Sequence, residues 1–425
     1  MRKDVLKNYY LKHSILALLG LYIVHFQLYT DYVFGNIEAD NTFIWVDERV
    51  VVKGVIFSTI GLICFLMGYK VFGDKVKISK ASLVEKKQIG TKWMVFLAGV
   101  SLLVFFATVN MLYLAGFYGA EEKGEAATYA SLFLELLFFA IMIQNCRNMI
   151  LTNAIPNSLR EYIAKQGYVF GIILVLYLLS VVMSGDRGPI MTFGLCYISG
   201  YFYVTKKTIS LKKVLVFVFI GASVVSILGQ ARDLDKRLSF SEKIQMSLND
   251  EKGDKKSFLP QTEELAGSVR TLHTTLTYIP EKHDFLYGLF QVKQVLICVP
   301  FVSIFNPIIF KDSHIKYATS SNFITWINQG DYPYTGDGTT CMADFYFDFG
   351  LLGIIVGMFF FGYFIRYCEL QFYSGVLPSL FIHVFIIVYL CEALYIARSS
   401  VLYDLKSVVW VFILLIINKR ILNKI

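Results

Sequence analysis

The chain has 425 residues, of which 56% are hydrophobic and only 17% charged, with a mean hydropathy of +0.56. A soluble domain of this size has no interior large enough for so much apolar surface, whereas repeated apolar spans of about 20 residues require it. The formal charge of +8 does not mark a nucleic-acid binder, because the lysines and arginines gather in short blocks beside apolar runs, as cytoplasmic loops of membrane proteins do.

The first residues, MRKDVLKNYYLKHSILALLGLYIVHF, pair a basic flank with an apolar stretch that runs on without a small-residue cleavage site, so a retained first helix is expected. Runs near 12–31, 49–70, 93–116, 127–145, 167–183, 190–205 and 213–229 each have the length to cross a bilayer with some tilt. The loop after the second carries Lys75, Lys77, Lys80, Lys86, Lys87 and Lys92, and the turn after the sixth carries Lys206, Lys207, Lys212 and Lys213. Both loops therefore read as cytoplasmic, as does the N-terminus, which puts Gly119–Ala126 and the stretch SGDRGP (184–189) outside.

Residues 287–309 are harder to place. Lys293, Pro300 and Pro307 disfavour a lipid-facing helix, since proline removes a donor and clashes with the preceding turn. Three further runs, near 345–365, 373–392 and 402–418, precede Lys419, Arg420 and Lys424. With 287–309 as a re-entrant or interfacial element there are ten crossings and these cations stay inside; an eleventh crossing would carry them out. The expected fold is an all-α, polytopic membrane bundle of about 10 transmembrane helices, with both termini cytoplasmic. Residues 1–425 form one integral membrane domain, and 230–343 form one external region, within which TEELAGSVRTLHTTLTY has the pattern of a short helix across the bundle.

In this topology Arg187, Arg232, Arg270 and Arg398 all lie outside, the side on which membrane-flanking arginine is unexpected. Guanidinium stays charged and presents a fixed fork of donors that matches phosphate oxygens, so the set suits a lipid-linked diphosphate whose tail lies between helices. Gly185, Gly188 and Pro189 fit a tight turn holding Arg187 at the membrane surface, with Pro189 in the first turn of the returning helix. Arg366, at the opposite end of a crossing, reads as a topology anchor.

In TGDGTTCMADFYFDFGLLG (335–353), Asp344 and Asp348 lie four apart, so a helix starting near Thr340 puts both on one face, and Gly350 and Gly353 allow close helix packing. Either carboxylate suits sugar hydroxyls or a cation across the cavity. Glu263, Glu264, His273, His283 and Asp284 are the remaining external acid–base candidates for a step in which a base takes a hydroxyl proton while cations stabilise a departing phosphate. Tyr332, Tyr334, Phe345, Tyr346 and Phe347 read either as sugar-stacking surfaces or as an interfacial aromatic belt. The seven cysteines form no close pair at metal-binding spacing, and neither HExxH nor a dense ligand cluster occurs, so no metal and no cofactor is assigned.

With these residues in place, the chain resembles the Wzy-type O-antigen and capsule polymerases, the oligosaccharide repeat unit polymerases. The resemblance is carried by SGDRGP, by FLYG followed by CVP, by YATSSNFI, by GDGTTCMADFYFDFGLLG and by YIARSS, across about 170–400. It implies an integral glycosyltransferase of the bacterial cytoplasmic membrane. Such an enzyme moves a growing saccharide from undecaprenyl diphosphate to a new lipid-linked repeat unit, with membrane lipids and a chain-length regulator as partners. Carried over residue by residue, Arg187 and Arg398 match the family's external arginines, and Asp344 and Asp348 its acidic helix start. Val299–Pro300–Phe301 lacks the basic residue often found after that proline. Diphosphate binding is thus expected of Arg187, Arg232, Arg270 and Arg398, and sugar binding of Asp344, Asp348, His273, His283 and Tyr346. Catalysis is expected of Arg187, Arg398, Glu264 and Asp344. A related ligase and a polysaccharide or lipid-linked oligosaccharide transporter are the rival readings.

Overall fold

A computed structural model describes residues 10–37, 47–71, 88–114, 123–186, 188–233, 257–300, 302, 314–374 and 377–423. Among these residues all regular structure is helical. The first half contributes α1 (His13–His25), α2 (Gln27–Val33), α3 (Glu48–Val71), α4 (Lys92–Thr108), α5 (Glu125–Leu151), α6 (Leu159–Gln166), α7 (Tyr168–Ser184), α8 (Gly188–Thr205) and α9 (Leu211–Asp233). The second half contributes α10 (Val269–Tyr278), α11 (Leu289–Leu296), α12 (Ser320–Gln329), α13 (Cys341–Ser374), α14 (Leu380–Cys391) and α15 (Leu405–Asn423).

Among the described residues, helices α3, α5 and α13 are each long and apolar enough to cross a membrane, and the bent pairs α1–α2 and α6–α7 raise the number to as many as five. The sequence predicted about ten. Of the runs expected to cross, α14 has 12 residues, or ~18 Å at 1.5 Å per residue, short of the ~30 Å hydrocarbon core, whereas α9 with 23 residues and α15 with 19 are about long enough. The bend between α6 and α7 is 96°, and α6 is a capped surface helix rather than an extension of the crossing. Ser158 Oγ accepts from the Glu161 amide, and Lys165 pairs with Glu161 at 2.9 Å.

The centre of the bundle is α5, where every residue from Leu136 to Ile143 is buried. A helix apolar on all sides has to be enclosed by others, and α4, α8, α14 and α15 pack around it. The most extensive helix pair is α3 with α13. There a side chain at Gly68 would collide with the Phe359 carbonyl, and one at Gly362 with the Phe65 carbonyl, so the two backbones touch only because both residues lack a Cβ.

The end of the bundle that holds the starts of α1 and α14 and the end of α13 is closed by buried polar pairs. Glu369, fully buried, accepts from the Ser14 amide at 2.9 Å and from Tyr69 Oη at 2.7 Å, while Arg366 donates to Tyr69 Oη at 3.3 Å. Arg147, also buried, donates to the Pro378 carbonyl at 3.1 Å. Arg366 therefore belongs to the network that ties α1, α3 and α13 together.

Candidate functional site

At the opposite end three interruptions of regular helix meet. The first is in α13, where Phe349 (φ −140°, ψ 18°) and Gly350 (φ 60°, ψ −145°) leave helical geometry and separate 341–348 from the long remainder. A side chain at Gly350 would be strained by that backbone conformation. The carbonyls released by the break are taken up by the preceding FLYG segment: the Leu286 amide donates to Phe347 O at 2.9 Å and the Tyr287 amide to Asp348 O at 3.0 Å. The second interruption is at α11, whose 8 residues reach ~12 Å, so this part of the doubtful run 287–309 is a short helix and not a crossing. The third is 392–404, non-α backbone that nevertheless carries the buried residues Ala393, Ile396, Ala397 and Val401. Irregular backbone at membrane depth is tolerated where protein encloses it or a cavity is lined by it; here Tyr389 Oη donates to the Val401 carbonyl, and Leu394 packs against Gly20 of α1.

Asp348 holds these pieces in register. Its carboxylate accepts from the Gln291 amide at 3.0 Å and the Phe290 amide at 3.3 Å, capping the first turn of α11, where helix donors lack partners. Asp344, four residues earlier and fully buried, accepts from Ser320 Oγ at 2.5 Å, Gln291 Nε2 at 2.8 Å, and Gln294 Nε2 at 2.9 and 3.1 Å, with a further hydrogen bond from Ser400. A buried carboxylate is otherwise costly, and these donors from α11, α12 and 392–404 replace its hydration. The sequence predicts one shared face for Asp344 and Asp348; the structure places both carboxylates inward, against α11. Gln291, Gln294, Ser320 and Ser400 are not singled out by the sequence, since lone amides and hydroxyls in apolar segments carry no spacing signal. Three of the four do flank quoted stretches: Gln291 follows FLYG, Ser320 lies in YATSSNFI and Ser400 in YIARSS.

Two of the four predicted arginines are set against carboxylates. Arg398 pairs with Glu264 at 3.7 Å, with 30% and 46% of the side chains exposed, and Arg270 pairs with Asp337 at 3.1 Å. Arg187 lies outside the described residues. The turn around it is visible on both sides: Gly185 caps α7 with φ 77°, Asp186 Oδ1 accepts from the Gly188 amide at 3.3 Å, and Pro189 falls in the first turn of α8. Arg232 lies in the last turn of α9, its side chain outside the described residues.

His273 is buried and shares a 2.6 Å hydrogen bond with Tyr29 Oη, beside Gly54 of α3. His283 is at the surface; its Nδ1 donates to the Asp284 carbonyl at 2.7 Å, which leaves Nε2 to accept from Tyr317 Oη at 3.1 Å in the neutral ring. Tyr346 packs between Phe57 and Phe285.

Below the Asp344 cage an apolar cavity of about 670 Å³ opens between α13, α14 and the start of α15, lined by Phe345, Leu352, Val356, Phe385 and Leu402. Gln291 belongs to both, donating to Asp344 and lining the cavity. On the other flank, Glu135 of α5 accepts from Tyr177 Oη at 2.5 Å and lies within electrostatic reach of Lys123, Asp186 and Lys406; Glu392 accepts from Thr192 Oγ1 at 3.4 Å. An acid alone in the apolar run 127–145 is itself a signal of a buried polar site, and the sequence reading passed over Glu135.

Comparison with known families decides the family of the chain. The chain belongs to the O-antigen polysaccharide polymerase Wzy family. The match runs over residues 3–424, nearly the whole chain. No curated protein and no solved structure shows significant similarity to it. Wzy proteins are membrane proteins that act on lipid-linked oligosaccharide repeat units, so an apolar cavity beside a polar, partly cationic site is the setting in which to look for the chemistry.

Proposed function

We propose that this Wzy protein polymerises undecaprenyl-diphosphate-linked repeat units at the outer face of the bacterial cytoplasmic membrane, transferring the growing chain to a newly delivered unit. The observation that carries the reading is the meeting of four quoted stretches at one carboxylate: Gln291, Ser320, Asp344 and Ser400 come from separate parts of the chain and hydrogen-bond together where regular helix is broken. In this scheme the ten crossings place both termini in the cytoplasm and residues 230–343 outside, and a separate chain-length regulator sets the final length.

The donor diphosphate is held by Arg398 and Arg187, with Arg270 and Arg232 at its margin, and the first isoprene units occupy the apolar cavity below Gln291. When the diphosphate takes Arg398, Glu264 loses that ion pair, and a carboxylate with one cation fewer beside it is more basic. Glu264 then accepts the proton of the acceptor hydroxyl, whose oxygen bonds to the anomeric carbon as the bond to diphosphate breaks and the diphosphate leaves with the electron pair. Asp344 and Asp348 fix the walls that position the sugars, His283 lines the approach, and His273 and Tyr346, both buried, pack behind it. The arginines meet the charge on the leaving group, so the scheme itself calls on no metal and no nucleotide.

The test is deletion of the gene and complementation with wild type, Arg187→Ala or Arg398→Ala at matched membrane levels, with the surface glycan resolved by length. The expected result is a ladder that collapses to single repeats without the protein and stays collapsed with either variant. A ladder unchanged by deletion, in a strain lacking a second polymerase, would refute the assignment.

A further inference from the structure

A second concavity, of about 390 Å³, lies along α12 and the loop that follows it, inside the ~300–1,000 Å³ range of small-ligand sites. It differs in kind from the apolar cavity. Ser321, Asn322, Asp331 and Thr335 offer hydroxyl, amide and carboxylate groups, and Trp326 and Tyr334 offer aromatic faces. Lys316 Nζ stands 3.9 Å from the Trp326 ring centroid. Hydroxyl-rich rings are met by such a set: polar groups at the rim for their hydroxyls, and aromatic faces for their C–H surfaces.

The loop is pinned before any ligand arrives. Gln329 Nε2 donates to Thr335 O at 2.8 Å and to Asp337 Oδ2 at 2.9 Å, while its Oε1 accepts from the Tyr334 amide at 2.9 Å and the Thr335 amide at 3.3 Å. Trp326 Nε1 donates to Asp331 Oδ1 at 2.8 Å. Yet this fixed backbone leaves Tyr334 98% exposed. A rigid loop that presents an uncovered ring to a polar cleft has already met the ordering cost of binding.

The cleft is also wired to the candidate site. Ser320, the residue before Ser321, donates to Asp344, and Asp337, which closes the loop, pairs with Arg270. We infer that this cleft is a glycan subsite, holding saccharide units of the growing chain at a distance from the reacting ends; the inference rests on the polymerase reading above. Tyr332 separates this from a membrane belt. It is 91% exposed on the same loop but does not line the cleft, whereas an interfacial belt uses both rings alike.

The experiment is titration of lipid-free oligosaccharide, released from the host's own surface glycan by mild acid, into the full chain in zwitterionic nanodiscs, followed by calorimetry. Tyr334→Ala is expected to weaken binding by about tenfold and Tyr332→Ala by less than about twofold; both rings are so exposed that neither change disturbs packing. No binding to wild type, wild-type affinity in Tyr334→Ala, or equal losses in both variants would overturn the subsite, the last pointing to the membrane. The deletion ladder separates this from the parent reading. If it collapses while Tyr334→Ala binds as wild type, the subsite alone fails; if it survives deletion, the polymerase reading fails whatever the cleft binds.

Discussion

The two ends of the helix bundle treat charge in opposite ways. At one end Glu369 and Arg147 are buried; the partners Ser14 and Tyr69 lie on α1 and α3, and Pro378 just before α14. At the other, Arg398 and Arg270 keep 30% and 40% of their side chains exposed and pair with carboxylates of the 257–337 region. Buried pairs are strongly destabilising to break, whereas half-exposed ones contribute about 0–1 kcal/mol and exchange readily. The first end is held by buried contacts and the second by pairs that can trade partners, as the diphosphate site proposed above requires.

Asp344 is the exception at the open end, because it is as buried as Glu369, and its replacement has the largest expected effect. Asp344→Ala strands the amides of Gln291 and Gln294 and the hydroxyl of Ser320, so both polymer formation and thermal stability in detergent should fall, the latter by about 3 kcal/mol or more. Glu369→Ala should cost comparable stability while the protein that remains folded retains its polymerising activity per molecule. Equal loss of specific activity in the two variants would erase the distinction between the ends.

Arg398→Ala should abolish the ladder with a stability change below about 1 kcal/mol, read by comparing glycan length with the melting temperature of the purified protein. Arg398→Lys should not restore it, since an ammonium lacks the planar fork. Gly350→Ala comes next: its φ of 60° and ψ of −145° put the cost at about 1–3 kcal/mol, and the loosened contact with Leu286 and Tyr287 should lower activity further. Gly171→Ala, on α7 with open space around it, should be near neutral in the same assay. Arg270→Ala has the smallest expected effect, a shortened but still visible ladder and less than about 1 kcal/mol of stability.

Much of the scaffold is legible because a bilayer imposes a length on apolar runs. The stretches near 49–70, 127–145 and 345–365 all fall within helices that can cross, and Gly185 ends α7 while Pro189 lies in the first turn of α8. The break in α13 is not legible. FDFGLLG reads as continuous apolar helix, and Gly350 as a close-packing residue; only the amides of Leu286 and Tyr287, some 60 positions away, stabilise the interruption by donating to the freed carbonyls. For the same reason the Asp348 cap on α11 and the four donors around Asp344 escape a linear reading.

What the sequence by itself determined is the class and the chemistry available: an apolar all-helical chain, arginines beyond the ends of its spans, two carboxylates one helical turn apart, and short motifs that point to the Wzy family. Those properties follow from local rules of length, charge and helical period, each satisfied within a few neighbouring residues. Tertiary structure alone decided which groups meet, because a buried carboxylate or an opened helix end must find its hydrogen-bond partners wherever the fold brings them, and those partners lie on helices far apart in the chain.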